Sequence, residues 1–93
     1  MEPFTDKQRE ELMSILSKYP YKFYIFGSRS RGTHRKYSDL DLCYKGNMNR
    51  LEKAYLEMDF EDSDLPFRVE VSSWEKFSND FKKGIKHDLK ALT

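Results

Sequence analysis

Residues 21–45 read Y-K-F-Y-I-F-G-S-R-S-R-G-T-H-R-K-Y-S-D-L-D-L-C-Y-K. Two strand-like runs enclose a basic loop. The first, residues 21–26, is dense in aromatics and stops at Gly27-Ser28; the second opens with Asp39-Leu40-Asp41-Leu42. Aromatic and branched runs bounded by turn-forming residues are the pattern of buried strands. The loop between them, residues 29–37, is built of small and basic residues.

Asp39 and Asp41 stand two positions apart, so on a strand they project from the same face. Two such carboxylates repel unless a cation sits between them, and Mg²⁺ favours hard oxygen ligands of this kind. Gly27 after a strand permits a sharp turn and a close approach of backbone to a ligand. The N–H groups of such a turn can cradle phosphate, with the Ser28 hydroxyl adding a hydrogen bond. Arg31 is placed to meet a phosphate oxygen in the two-pronged manner of a guanidinium. The plain alternative makes the aspartates a solvated strand start and Gly27-Ser28 an ordinary turn, which leaves unexplained why both features bracket one basic loop.

Gly-Ser, ten intervening residues and then Asp-x-Asp resembles the motif of the DNA polymerase beta-like nucleotidyltransferases. The local form G-S-R-S-R-G-T-H-R-K-Y-S-D-L-D-L is most similar to the minimal nucleotidyltransferases, small prokaryotic proteins often paired with a helical HEPN protein as antitoxin and toxin. The motif spans residues 27–42, and the order of strands and helices extends the resemblance over most of the chain. Either half alone is a weak signal; the two at this spacing, between two strands, are a specific one.

With 93 residues the chain reads as one domain, residues 1–93, burying about two-thirds of its unfolded surface. A separate acceptor-binding domain does not fit that length. Lys and Arg number 17 against 16 Asp and Glu. No global basic field therefore marks nucleic acid as an obligatory ligand, although it is not excluded. Charge is locally uneven: Arg29, Arg31, His34, Arg35 and Lys36 are a basic cluster, and Glu57, Asp59, Glu61, Asp62 and Asp64 an acidic run that reads as a solvated helix end and loop. A single cysteine, Cys43, allows no intramolecular disulfide and fits a reducing cytoplasm. It reads as a small strand residue, not a nucleophile. No apolar run is long enough for a membrane span, and no signal-peptide core is present.

Before the central stretch, Thr5 and Gln8 form a capping-box pattern ahead of Leu12, Ile15, Leu16 and Tyr19 at helical spacing, with Pro20 as the stop. In the strands, Phe23 and Ile25 share one face and Lys22, Tyr24 and Phe26 the other; Leu40, Leu42 and Tyr44 oppose Asp39, Asp41 and Cys43. Beyond Gly46-Asn47 a second helix is predicted over residues 49–60, with Leu51, Ala54, Tyr55 and Met58 as its buried stripe. A loop over 62–66 leads to a third strand, residues 67–72, with Phe67, Val69 and Val71 inward and Arg68, Glu70 and Ser72 outward. The tail carries Trp74, Phe77, Phe81, Ile85 and Leu89 at roughly helical spacing, read as core. Ser78 is its N-cap, and a helix over 79–86 is followed by an extended end; the family resemblance implies that this end adds an edge strand.

These parities predict an α/β (α+β) fold: a small mixed sheet with helices on one face and an open face carrying Asp39, Asp41 and Glu70. The polymerase beta-like fold implies the same arrangement, with three strand carboxylates holding two Mg²⁺ ions. The resemblance then implies an enzyme that transfers a nucleoside monophosphate, AMP from ATP by default, to a hydroxyl acceptor. Asp39, Asp41 and Glu70 would be the catalytic and metal-binding residues, and Gly27, Ser28 and Arg31 the nucleotide-binding ones. Arg29 is a weaker candidate, as apt to face solvent, and His34 reads as a solvent-facing loop residue. The implied partners are the nucleoside triphosphate and a small helical HEPN-type protein acting as toxin; homo-oligomerisation is left open. Glu70 departs from the family's usual aspartate and lengthens the side chain by one methylene. That departure keeps two other readings alive: a lapsed enzyme that neutralises its partner by binding alone, and the catalytic subunit of a two-subunit enzyme modifying a small molecule or a nucleic-acid end.

Overall fold

The computed structural model describes residues 2–93. In chain order these form α1 (Asp6–Leu16), β1 (Lys22–Phe26), a single-turn α2 (Ser28–Arg31), β2 (Leu40–Lys45), α3 (Arg50–Glu61), β3 (Val69–Ser73), a 3-10 turn at Trp74–Lys76, α4 (Asn79–Ile85) and β4 (Lys90–Ala91). The sheet order is β3-β2-β1-β4, with β1 antiparallel to both β2 and β4, and β3 parallel to β2. A parallel pair cannot be closed by a hairpin, so α3 serves as the crossover between β2 and β3.

The first helix begins as its capping residues dictate. Thr5 accepts from the Gln8 backbone N–H while the Gln8 side chain accepts from the Thr5 N–H, satisfying two donors that the helix itself cannot. It ends at Leu16, ahead of Pro20. Leu12, Ile15 and Leu16 drop into a core with Phe23 and Ile25 of β1, Leu40, Leu42 and Tyr44 of β2, Leu56 and Phe60 of α3, and Phe67 and Val71 at β3. The strand alternation read from the sequence holds in all three principal strands.

Helix α3 departs from the reading of its periodicity. Leu51, Ala54, Tyr55 and Met58 point to solvent, the three larger ones being 61%, 53% and 54% exposed. The buried residues are Leu56 and Phe60. Period alone locates an apolar face without saying which face the sheet takes, and here tertiary hydrogen bonds choose. Tyr21 donates its hydroxyl to Glu52 at 2.9 Å, and Tyr19 donates to Asp59 at 2.6 Å. Both anchors sit at the entry to β1 and turn the Glu52–Leu56–Asp59 side inward. Burial and Asp59 push the Tyr19 hydroxyl up to about 12, so it remains a donor throughout the working range. Lys18 closes on Asp59 at 3.2 Å, which gives one member of the acidic run a structural task.

On the other face of the sheet, α4 and the 3-10 turn build a second, smaller core. Phe26, Cys43 and Ile85 are its buried centre, with Tyr24, Trp74, Phe77 and Leu89 around them. Phe26 meets Phe77 and Phe81 edge to face at 5.7 and 6.0 Å, a favoured quadrupole geometry. The tail stripe is thus core, as read, although Phe81 stays 44% exposed. Ser78 caps α4, and the extended end pairs with β1. This second core covers one end of the face; Asp39 and Glu70, exposed, and Asp41, half-buried, lie at the other. Among the described residues no helix is long and apolar enough to cross a membrane.

Two outcomes follow from this packing. Leu56→Ala should cost about 2–5 kcal/mol through cavity formation, whereas Met58→Ala in dilute solution should stay within about 0.5 kcal/mol; urea midpoints of the two variants check this, and equal losses would contradict the assignment of the inner face. The Cys43 thiol is raised from 9.0 to about 11, chiefly by burial. The native state therefore holds this proton more tightly than the unfolded chain. Its contribution to stability is fully present below pH 9 and is lost as pH climbs toward about 11. Alkylation of Cys43 in native protein should be slow at neutral pH and accelerate on unfolding.

Candidate active site

The turn between β1 and α2 is set by Gly27, whose φ of 79° lies where only glycine is comfortable. It needs to be glycine for a second reason: a Cβ there would collide with the Asp41 carboxylate. The register explains the proximity. Phe26 pairs with Asp41 across the antiparallel ladder, and Asp41 pairs with Glu70 across the parallel one. The end of β1, the middle carboxylate and the β3 carboxylate thus share one row of the sheet. Asp39 precedes β2 on the same side.

The electrostatics show that these groups share one field. Burial raises the pKa of the half-buried Asp41 carboxyl. Glu70 and then Asp39 raise it further, while Arg31 pulls it back. Two acids and one guanidinium therefore act on a single carboxylate, with repulsion exceeding what Arg31 offsets. Such a surplus is what a divalent cation relieves, and the donors are hard oxygens of the kind Mg²⁺ takes. Among the described residues, no group of three or more His, Cys, Asp or Glu side chains is drawn together into a preformed cage. Asp41 is the fixed member, held against Gly27, while Asp39 and Glu70 are exposed.

Ser28 opens α2 beside this row. Its carbonyl accepts from the Thr33 N–H at 3.0 Å, after Gly32 has reversed the chain with φ 77°. Arg31 is about half exposed. It pairs with Asp88 at 3.0 Å, and Asp88 is only 18% exposed. The Asp88 carbonyl also accepts from the Ser30 hydroxyl, and Lys90 Nζ donates to the Ser30 carbonyl at 3.0 Å. The C-terminal segment is therefore fastened to the turn that carries Ser28 and Arg31. Nothing in the sequence pointed to Asp88 or Lys90, which lie about sixty positions away; only the β4–β1 pairing brings them there.

Arg29 corrects a reading from sequence. It does not face solvent but is 3% exposed. Its guanidinium donates to three backbone carbonyls, those of Pro3 at 2.7 Å and of Ser38 and Lys36 at 3.0 Å. The same group stacks 3.9 Å from the Phe67 ring centroid. Burial lowers its pKa and Asp39 opposes the shift. Arg29 thus binds the loop up to the residue before Asp39, and its role is positioning. His34 also departs from expectation: it is half-buried, and its Nδ1 is buried without a hydrogen-bond partner among the described residues. Burial, then the Arg29 charge, lowers its pKa. Tyr37, at 66% exposed, is the open aromatic of the loop.

Residues 6–92 match the family model described as a nucleotidyltransferase domain. Over 68 residues the chain is 40% identical to a probable protein adenylyltransferase, MntA, of Haemophilus influenzae. That alignment takes in 71% of this chain and 60% of the relative, so the chain spans well under the relative's full length. The fold is similar to a chain in a toxin–antitoxin crystal structure with AMP-PNP, at a TM-score of 0.71, 20% identity and coverage of 91% of this chain and 72% of that one. It is equally similar, at 0.71 and 19% identity with the same coverage, to a chain in a mutant MntA-HpeT toxin–antitoxin crystal structure. At these identities the structural likeness speaks for the fold.

Gly27→Ala is the sharpest test of this geometry. The added Cβ needs both an unfavourable φ and the displacement of Asp41, so the variant should lose at least about 2 kcal/mol of stability and any Mg²⁺-dependent nucleotide binding. Gly84→Ala, where a Cβ meets nothing within 4 Å, serves as the control and should do neither.

Proposed function

Because this chain belongs to the nucleotidyltransferase domain family, we propose that it transfers AMP from ATP to a hydroxyl group on a helical, HEPN-type protein partner, as the antitoxin of a toxin–antitoxin pair. The observation that carries this reading is the row in which Asp41 pairs with Glu70, with the Gly27 turn against the Asp41 carboxylate and Asp39 and Arg31 in the same field. The relative named as an adenylyltransferase, and the AMP-PNP and toxin–antitoxin descriptions of the structural neighbours, support the nucleotide and the partner.

In this reading Asp39, Asp41 and Glu70 hold two Mg²⁺ ions, which supply charge neutralisation for the triphosphate and a lowered pKa for the attacking hydroxyl. Asp41 is the ligand that the backbone positions, since Gly27 fixes its carboxylate from one side. Ser28 and the Gly27 turn bind the β- and γ-phosphates, and Arg31 neutralises charge there. Asp88 orients Arg31 by its ion pair and gives it up to phosphate as the nucleotide enters. Arg29 takes no part in the chemistry: by tying down the loop through three carbonyls it limits how far Asp39 can swing. Glu70 accepts the proton of the attacking hydroxyl or completes the metal set.

Glu70 also carries a second reading. Its carboxylate stands one methylene further out than an aspartate, on an exposed strand position, so a domain that binds nucleotide without turnover and neutralises its partner by contact alone remains the competitor. One experiment separates the two. Wild type, Asp39→Asn/Asp41→Asn and Glu70→Asp are incubated with ATP, Mg²⁺ and the candidate partner, and the partner is analysed by intact-mass spectrometry. AMP addition by wild type, abolished in the double variant with partner binding retained, supports transfer; transfer that survives the double variant overturns the metal assignment. Partner neutralisation with no mass change, even by Glu70→Asp, selects the binding reading. The same site gives a stability outcome. Removing one of the mutually repelling acids, as in Asp41→Asn, should leave the metal-free protein as stable as wild type or up to about 1 kcal/mol more so. Mg²⁺ with nucleotide should raise the melting temperature of wild type only.

A further inference from the structure

We propose that the outer face of α3 is a self-association surface, on which a second copy of this chain packs the same face antiparallel about a twofold axis. The inference does not rest on the proposed activity. Five large hydrophobic residues are exposed among those described, and three of them, Leu51, Tyr55 and Met58, lie on this helix. With Ala54 they recur at the i, i+3, i+4, i+7 spacing of a continuous seam. The helix has already satisfied its own core through Leu56 and Phe60. It therefore carries two apolar faces, and one is uncovered.

The charges beside the seam say what covers it. Arg50 is the first residue of α3, whereas Glu57, Glu61 and the capping residue Asp62 crowd its end, and the last turn has no basic residue. Glu52 suits the positive end of the helix, but Arg50 and the terminal acids are set against the helix's own dipole. None of Arg50, Glu57 and Glu61 forms a salt bridge among the described residues. An antiparallel copy removes the conflict at both ends, because each Arg50 then lies near the negative end of the other helix.

The spacing is also self-complementary. Arg50, Glu57 and Glu61 are seven and eleven positions apart, close to whole numbers of helical turns, so they share one flank of the seam. A twofold axis perpendicular to two antiparallel helices sets like flank against like flank. Placed through Ala54 and Tyr55, the axis brings Leu51 opposite Met58 of the other copy and sets each Arg50 between Glu57 and Glu61 of the other copy. Ala54 at the centre lets the backbones approach. The carboxylate row lies on the other face of the sheet, so both candidate sites stay open.

Twelve helical residues are about 18 Å of helix, less than the roughly 800 Å² per partner of a standard interface requires. The dimer is therefore weak and concentration-dependent, with a dissociation constant of about 10 µM to 1 mM. Sedimentation velocity of the purified chain over a dilution series tests it, with far-UV circular dichroism and urea melts as controls of folding. Tyr55→Glu should raise the dissociation constant at least about 30-fold by burying a charge at the axis. Arg50→Glu should raise it about three- to tenfold while leaving the monomer equally or more stable, since an acid suits that end of the helix. Arg50→Glu combined with Glu57→Lys and Glu61→Lys exchanges the charges and should restore association. A wild type that stays monomeric to about 1 mM, the upper bound set by the interface size, overturns the proposal, including the case in which a different protein occupies the face. A dimer indifferent to Tyr55→Glu, or not restored by the charge exchange, overturns it as well.

Discussion

The close approach of the Gly27 backbone to the Asp41 carboxylate is the constraint on which the rest of this structure depends. It requires β1 to end where it does, because one further residue with a Cβ would displace the acid. It requires the register in which Phe26 faces Asp41 and Asp41 faces Glu70. A slip of one residue in either ladder would turn the slipped strand over, sending its acid toward the main core and its core side chains to the opposite face. The large apolar residues on the opposite parity, Leu40, Leu42 and Val71, therefore hold the carboxylates in place as firmly as any contact at the site itself.

Around that row, polar groups that look like surface chemistry act as fasteners. Arg29 directs each of its three guanidinium nitrogens to a backbone carbonyl of the loop or the N-terminal segment. A buried guanidinium is tolerable only when its donors are satisfied, and the Phe67 ring beneath it adds a cation–π contact. Asp88, Ser30 and Lys90 fasten the other side of the same turn. The turn is thus held from both directions, with Arg31 as its half-exposed, ion-paired charge. A small chain cannot hold a loop by hydrophobic burial alone, and these hydrogen bonds take over that task.

Helix α3 shows how a short helix serves two surfaces. Its inner side is chosen by Tyr19 and Tyr21, whose hydroxyls reach Asp59 and Glu52, and its outer side keeps a second apolar seam. The two faces of the molecule are divided in the same way. Helices α1 and α3 with the main core occupy one side of the sheet, and the acidic row with α4 and the smaller aromatic core occupies the other. The proposed association through one side and the proposed chemistry on the other would not compete for surface.

Much of this was legible in the sequence because it rests on local rules. Capping residues, strand alternation and the turn at Gly27-Ser28 are properties of near neighbours, so both capped helix starts, the parity of the strands and the candidate acids could be read directly, whereas the terminal edge strand came from the family resemblance. The resemblance of the Gly-Ser, ten-residue, Asp-x-Asp pattern to the family motif joined Gly27-Ser28 to Asp39 and Asp41. The tertiary structure decided which of two apolar faces of α3 is buried, since that depended on hydroxyl partners about thirty and forty residues away. It decided that Arg29 is interior and that Arg31 meets Asp88, because a guanidinium's surroundings are made by segments that converge only on folding. Periodicity reports that a face is apolar and composition reports that a loop is basic. Which face meets the sheet, and which charge meets which partner, are fixed by distances that exist only once the sheet has closed.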